Sequence, residues 1–553
     1  MDKNNLENLA QKLFPQINKT KEDYYKLYPR RELKEGARVT RFAPSPTGFL
    51  HVGGVYSALV SNRVASSNGG VCILRIEDTD KKREVTGGVG KICTALKNFG
   101  ITFEEGVNDE ENEVGAYGPY KQSNRAEIYQ TFVKSLIETG DAYPCFCTEE
   151  ELKNIREKQE IEGITPGYYG KWAKYRYVGI EEILSKLEEK TPFVIRLKSK
   201  GDSQRTATLK DQIKGNIEMP ENEQDIVILK SDGIPTYHFA HVVDDYLMNV
   251  THVIRGDEWL SSWPVHFELF NVLGWDLPKY AHISPIQKNE DGKKRKLSKR
   301  KDPEASVDFY HENGIPSEGL IEYLLNIANS SFEDWRRDNP EKSNKEFELR
   351  LDKMSVSGAL FDMVKLTNVC KNVISFFSAE YVYDKTLSWL KEFDKDFAIK
   401  FEEDKDYMLK ILNIERGGDK PRKDISRWSE VKDYVSYFYD DLFQTDIQEN
   451  GYCFSEKLDI DDIRRFLDKF LQVYDINDDN EVWFSKLKEL ALEFGFSKNA
   501  KEYKKNPDRF KGHIGDAAEI LRVTLTNRKN TPDLSQIMST MGLDRVKNRF
   551  EMV

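Results

Sequence analysis

Arg38-Val39-Thr40-Arg41-Phe42-Ala43, running into Pro44-Ser45-Pro46-Thr47-Gly48-Phe49-Leu50-His51-Val52-Gly53-Gly54, is an alternating β-branched stretch broken by two prolines and a glycine. Tyr56 to Ala65 then carries apolar residues at helical spacing, so the order is strand, turn, helix. After Asn68-Gly69-Gly70, Val71-Cys72-Ile73-Leu74-Arg75-Ile76 reads as a second strand and completes a βαβ unit with a right-handed crossover. Such a unit implies a parallel sheet whose ligand sits at the C-terminal ends of the strands. His51 stands ahead of a helix that starts near Val52, where the helix N-terminus favours an anion. Its glycine neighbours allow the backbone to approach a phosphate closely.

A second stretch, Lys296-Leu297-Ser298-Lys299-Arg300, supplies cations. From Lys288 to Lys301 there are eight Lys or Arg against two Asp or Glu, a net of +6 in 14 residues. The whole chain of 553 residues carries −11, so any nucleic-acid footprint is local, since phosphate contacts need local cations. A solvated basic loop is the plainer reading of this run.

The length suggests roughly three to five domains of ordinary size. With 39% hydrophobic and 32% charged residues and no apolar run long enough for a membrane span, a folded protein away from the bilayer is expected. Met1-Asp2-Lys3-Asn4-Asn5 opens a polar stretch, not an apolar signal core, and the compartment reads as cytoplasmic. Six scattered cysteines (72, 93, 145, 147, 370 and 453) form no disulfide framework and are expected reduced.

Together the two stretches resemble the paired signatures of class I aminoacyl-tRNA synthetases, and their spelling is similar to that of bacterial-type glutamyl-tRNA synthetases. The family consensus His-Ile-Gly-His ends here in Gly54, which removes one donor. Three further blocks add to the likeness: Arg75-Ile76-Glu77-Asp78-Thr79-Asp80, Pro235 to Asp245, and Arg255-Gly256-Asp257-Glu258-Trp259. The resemblance implies ATP, with Mg2+, and L-glutamate as substrates, glutamyl adenylate as intermediate, and the 3′-terminal adenosine of tRNA-Glu as acceptor. Activation of this kind brings its own nucleophile, so the site needs cations, backbone amides and a His, not a Ser or Cys triad.

His51, Lys296 and Lys299 are the implied catalytic groups, the lysines acting as ammonium ions without any pKa change. Thr47, His51, Gly53, Gly54, Glu258, Trp259 and Lys299 are implied at ATP; a core Trp and a capping Glu are the alternatives for Trp259 and Glu258. Arg41 and Tyr237 are implied near the glutamate side chain, Ser45 and Glu77 near its amino group, and Arg255 on a carboxylate. Arginine suits bidentate carboxylate recognition. His241 stands where the family commonly has Asn, and imidazole can supply a donor or an acceptor. Helix N-capping by Asp78 or Asp80 is the alternative for that acidic cluster. Cys145-Phe146-Cys147 invites a zinc reading, but Trp172 occupies the place where some relatives supply a further Cys, so no zinc and no other protein-held metal is expected.

The expected fold class is α/β: a Rossmann-like parallel-sheet domain over 37–119 and 225–290, with an inserted α+β domain over 120–224 that the resemblance implies binds the acceptor stem. An N-terminal extension is expected over 1–36, and the resemblance implies a stem-contact region with the lysine loop over 291–375 and all-helical anticodon-binding subdomains over 376–480 and 481–553. Strands are expected over Asp225–Leu229 and Val250–Ile254, and helices over Asp462–Val473 and Ala517–Leu525. Asn527 replaces the usual Gly and suits a left-handed C-cap. Arg522 and Arg528 read equally as RNA contacts or helix-dipole partners. A monomer is expected. Rival readings are an enzyme that also charges tRNA-Gln, a tRNA-modifying relative lacking the roughly 180 helical residues after 375, and a catalytically silent RNA-binding paralogue.

Overall fold

The computed structural model describes residues 2–48, 50–80, 85–418 and 420–553, so Phe49 of the first signature lies outside the described residues. Two compact units divide the chain: Met1–Phe309 with Ile321–Asp362, and Tyr310–Leu320 with Met363–Val553.

In the first unit, α1 (Lys3–Leu13) and α2 (Lys21–Leu27) precede β1 (Val39–Phe42), α3 (Val52–Ser66) and β2 (Val71–Leu74). β1 and β2 pair in parallel, Val39 opposite Val71 and Phe42 opposite Leu74, and all four β1 residues are buried, as a strand covered on both faces must be. α4 (Gly88–Asn98) leads to β3 (Glu105–Val107), parallel to β2, and β4 (Glu113–Val114) turns back antiparallel, giving the order β1-β2-β3-β4. Asp78 does not cap α4, whose N-cap is Gly87; its carboxylate instead takes the Ser123 N–H at 2.8 Å and hydroxyl at 2.6 Å.

α5 (Ala126–Glu138) is covered by α1 and α2. The next elements are β5 (Ala142–Cys145), α6 (Glu149–Ile161), α7 (Ile180–Glu188), β6 (Val194–Leu197), the hairpin β7 (Thr206–Asp211) with β8 (Gly215–Pro220), and β9 (Val227–Leu229). The strand expected near 225–229 is present, but it pairs antiparallel with β6 in a β5-β6-β9 sheet and not with the parallel strands. Three apolar residues fit either sheet, and only the partner decides.

α8 (Tyr237–Leu247), β10 (His252–Gly256), α9 (Trp263–Leu273) and β11 (Lys279–Ile283) follow. β10 and β11 are parallel, and β10 adjoins β1: Thr251 N–H donates to the Val39 carbonyl at 2.9 Å and Thr251 Oγ1 accepts Val39 N–H at 2.9 Å. The ends of β1 and β10 therefore open on the same side. The cationic run begins as a hairpin, β12 (Gln287–Glu290) with β13 (Lys293–Lys296), whose Asp291 and Gly292 both have positive φ (52° and 79°), the signature of a tight primed turn.

Among the described residues of the second unit from 363 onward the elements are all helices, joined by loops and one isolated bridge between Ser497 and His513, with helices Ile460–Val473 and Ile514–Thr526 where the apolar spacing places them. Asn527 is the left-handed C-cap of the latter, at φ 52°. Arg528 is spent on Asp433 at 2.6 Å, and Arg522 Nε donates to Thr531 Oγ1 at 3.1 Å. No helix among the described residues is long and apolar enough to cross a membrane.

Candidate active site

The turn after β1 is held by main-chain bonds. Thr47 N–H donates to the Ser45 carbonyl at 2.9 Å, Glu77 N–H to Pro44 at 3.0 Å and Val85 N–H to Pro46 at 2.9 Å, which leaves Ser45 and Thr47 exposed on the turn. His51 is the N-cap of α3, its Nδ1 accepting the Gly53 N–H at 2.9 Å. An amide only donates, so Nδ1 is the acceptor and the neutral ring carries its proton on Nε2. A Cβ on Gly53 would stand 3.1 Å from that Nδ1, and one on Gly54 2.8 Å from Leu50 Cδ1. The place of the second consensus His thus holds bare backbone against Leu50.

The segment after β13 folds back onto this turn. Asp302 accepts the Ser298 N–H at 2.9 Å and two Arg295 nitrogens at 2.6 and 2.8 Å, which hold its carboxyl far below the usual range. His51 bridges to Ser306, and Val307 N–H donates to the Leu50 carbonyl at 3.3 Å. Burial lowers the His51 imidazole from its ordinary value and the Lys299 and Lys296 ammonium groups lower it further, with the Leu297 backbone and Asp302 opposing. Both ammonium groups therefore lie near enough to the His51 ring to act on its charge. Partial desolvation also lowers Lys299 itself, against Asp308, where the sequence suggests an unaltered ammonium. Lys296 lies 3.4 Å from the Glu258 carboxylate.

Glu258 and Trp259 follow the end of β10, and Glu258 covers Gly256, where a Cβ would come within 2.3 Å of its Oε2. Trp259 is half-buried, its ring 4.3 Å from that of Tyr237, and is neither a core residue nor free of contacts. Tyr237 in turn stacks on His241 at 5.8 Å. His241 is fully buried, its Nδ1 3.2 Å from Asp245 and 3.4 Å from Arg41, and its Nε2 has no hydrogen-bond partner among the described residues. Burial, then Arg41 and Arg255, push it well below its ordinary value.

Behind these groups lies a charge network that the motifs do not announce. Arg41 Nε is 3.2 Å from both Asp245 oxygens and Nη1 donates to the Ile254 carbonyl at 3.2 Å, while Arg75 reaches Asp245 at 2.6 Å and Glu77 at 3.2 Å. Asp244 takes Arg125 at 2.7 Å, Gln122 at 2.9 Å and Tyr129 at 2.8 Å. Burial alone would raise Asp245, but Arg41 and Arg75 hold it below its ordinary value; at Glu77 burial outweighs the same two arginines and raises it. The Asp244-Asp245 doublet closes the Pro235 to Asp245 block, but nothing local in the sequence marks Arg125 as a partner of Asp244.

Arg255 is nearly buried, with Nε on His282 Nε2 at 3.1 Å, Nη1 on His266 Nδ1 at 3.1 Å and Nη2 on the Trp259 carbonyl at 3.2 Å. Arg41, His241, Tyr237, Trp259 and Arg255 are thus linked by successive contacts, Glu77 joins them through Arg75 and Asp245, and Glu258 meets Lys296, one of the two lysines that lower His51. Away from it, Cys145 and Cys147 flank the Tyr168 hydroxyl at 3.5 and 3.4 Å. Among the described residues no group of three or more His, Cys, Asp or Glu side chains is arranged to hold a metal.

The family described as tRNA synthetases class I (E and Q), catalytic domain, matches residues 38–367. A glutamate–tRNA ligase of Clostridium perfringens (strain SM101 / Type A) is 50% identical over 545 residues, 99% of each chain. One of Acetivibrio thermocellus is 48% identical over 545 residues, 98% of each chain. Among solved structures, a glutamate tRNA ligase from Elizabethkingia meningosepticum in complex with its amino acid superposes with a TM-score of 0.71 at 29% identity, covering 93% of this chain and 98% of that one.

Proposed function

The chain belongs to the class I tRNA synthetases of the glutamate and glutamine type, and on that premise we propose that it joins L-glutamate to tRNA-Glu at the cleft between His51 and Arg255. ATP binds along the turn after β1, where Gly53 and Gly54 present no side chain and permit close approach, Thr47 offers its exposed side chain and His51 Nε2–H a donor, while Glu258 and Trp259 face the nucleoside. Mg2+ would accompany the triphosphate and offset part of its charge. Glutamate lies against Arg41 and Tyr237 with its side chain, Ser45 and Glu77 with its amino group, and Arg255 with a carboxylate.

In the first step a glutamate carboxylate oxygen forms a bond to the α-phosphorus and the bond to pyrophosphate breaks. Lys296 and Lys299 stabilise the charge gathering on the departing phosphates, and His51 donates to a phosphate oxygen. In the second step the terminal adenosine hydroxyl of tRNA attacks the glutamyl carbonyl and AMP leaves. Holding three reactants in line accounts for much of the acceleration. The observation that carries this reading is the neutral, amide-locked imidazole of His51 under the electrostatic influence of both loop lysines.

The test is tRNA-dependent exchange of pyrophosphate into ATP, with glutamate present or absent. The parent protein is expected to exchange only with glutamate. Lys299→Ala is expected to lower the rate by on the order of 10²-fold, as for loss of one preorganised charge donor. A parent protein that binds tRNA without exchange is instead the silent paralogue, and a near-normal Lys299→Ala rate removes that residue's role.

A further inference from the structure

Arg255 is oriented by a line of groups that begins outside the cleft, at the end of hairpin β7–β8. Asp211 closes β7, and its Oδ2 accepts both the His282 N–H at 3.0 Å and the His282 Nδ1–H at 2.7 Å. Its other oxygen accepts the Ile213 and Lys214 N–H groups at 2.9 Å each. All four bonds point at the carboxylate. Guanidinium nitrogens only donate, so His282 Nε2, 3.1 Å from Arg255 Nε, must be an acceptor, and the proton of that ring sits on Nδ1 toward Asp211. The same logic continues beyond Arg255: His266 Nδ1 accepts from Nη1, so its Nε2 carries the proton and donates to His238 Nδ1 at 3.0 Å. Donor and acceptor roles along the whole line are fixed by the carboxylate at one end and the guanidinium in its middle.

We propose that Asp211 and His282 are positioning residues for glutamate recognition, setting the Arg255 guanidinium by locking the His282 tautomer. The arrangement resembles the carboxylate–histidine pairs that fix ligand orientation around metals, with a guanidinium in the metal's place. Neither residue touches the substrate in the reading above. The inference rests on Arg255 contacting a glutamate carboxylate, as proposed there.

Substituting Asp211→Asn tests the lock directly. In either orientation the amide NH2 meets two donors: the His282 main chain and ring on one side, or Ile213 and Lys214 on the other. Relief comes from moving the His282 proton to Nε2, which then faces the Arg255 Nε–H. His282→Leu removes the acceptor altogether, whereas His282→Gln can return an oxygen to Arg255. In the full-length protein, by tRNA-dependent pyrophosphate exchange with glutamate and ATP titrated separately, Asp211→Asn and His282→Leu are expected to raise the glutamate KM by on the order of tenfold or more, as for one lost hydrogen bond to a charged group. The ATP KM and the limiting rate stay near parental, and His282→Gln recovers most of the loss.

A glutamate KM that does not move in either variant overturns the proposal. So does equal impairment toward ATP and glutamate, which is what general destabilisation produces, or a Gln variant no better than Leu. If His282→Leu fails to fold, Asp211→Asn carries the test with the same KM comparison. A parent that exchanges no pyrophosphate with glutamate removes the functional reading and this inference together; an active parent with unmoved variants removes this inference alone.

Discussion

His51 does two jobs with two nitrogens. Nδ1 caps α3 through Gly53, while Nε2–H, on which the Leu297 main chain also acts, is the donor assigned to a phosphate oxygen. These roles separate by substitution, because asparagine is a strong N-cap while alanine is not. His51→Ala is expected to cost about 1 kcal/mol of stability along with activity. His51→Asn is expected to keep stability within about 0.5 kcal/mol of the parent and still lose on the order of 10²-fold in pyrophosphate exchange. Urea melts of the three proteins beside their exchange rates check this, and an active Asn variant would show that Nε2 is dispensable. At this scale the sequence was most informative where chemistry is packed into a short run: His51 and Lys299 stand in dense motifs. Asp211 and His282 were illegible because they meet across 71 residues and each looks ordinary in its own surroundings. Arg41 could be named, but not that it is tied to Asp245, since that pairing exists only once α8 lies behind β1.

Among elements, β1–α3–β2 could be read because prolines and glycines punctuate it and the apolar period changes from two to 3.6 between strand and helix. β9 could be found as a strand but not assigned to a sheet, since strand patterning carries no partner information. The second-unit helix Ile514–Thr526 shows how a single cap can be predicted in part. Asn527 adopts the left-handed conformation, as its substitution for Gly suggests, but its side chain also works. Oδ1 accepts the Cys453 N–H at 3.0 Å, and Nδ2 donates to Asp446 at 2.9 Å and to the Gly451 carbonyl at 3.0 Å. Asn527→Gly relieves the positive φ and removes all three bonds. The bonds outweigh the backbone gain, so a net loss of about 1 to 2 kcal/mol in denaturant melts is expected. An unchanged or raised midpoint would mean the backbone term dominates.

For the molecule as a whole, the distribution of histidines sets an acid limit on the first unit. His51, His238, His241, His252, His266 and His282 all lie there, and burial, the largest cause at each, lowers every one from its ordinary 6.5. His252 is lowered to about 4, with Arg38 and Lys279 adding to burial. A lowered folded value means the unfolded chain binds more protons, so stability rises with pH across the interval. The contribution of His252 is complete above about 6.5 and is lost as pH falls toward about 4. That shift amounts to on the order of 3 kcal/mol. Asp211 and Asp245, also lowered, add a second loss that begins only below their ordinary 3.8, while Glu77, raised by burial, runs in the opposite direction. The first unit's thermal transition, identified as the one that ATP and glutamate shift upward, is therefore expected to fall steadily between pH 7 and pH 5. His252→Gln should flatten part of that slope, because glutamine has no proton to gain. A transition that holds its midpoint across this interval would show that the buried rings gain protons without cost, through local opening that leaves the rest of the unit folded.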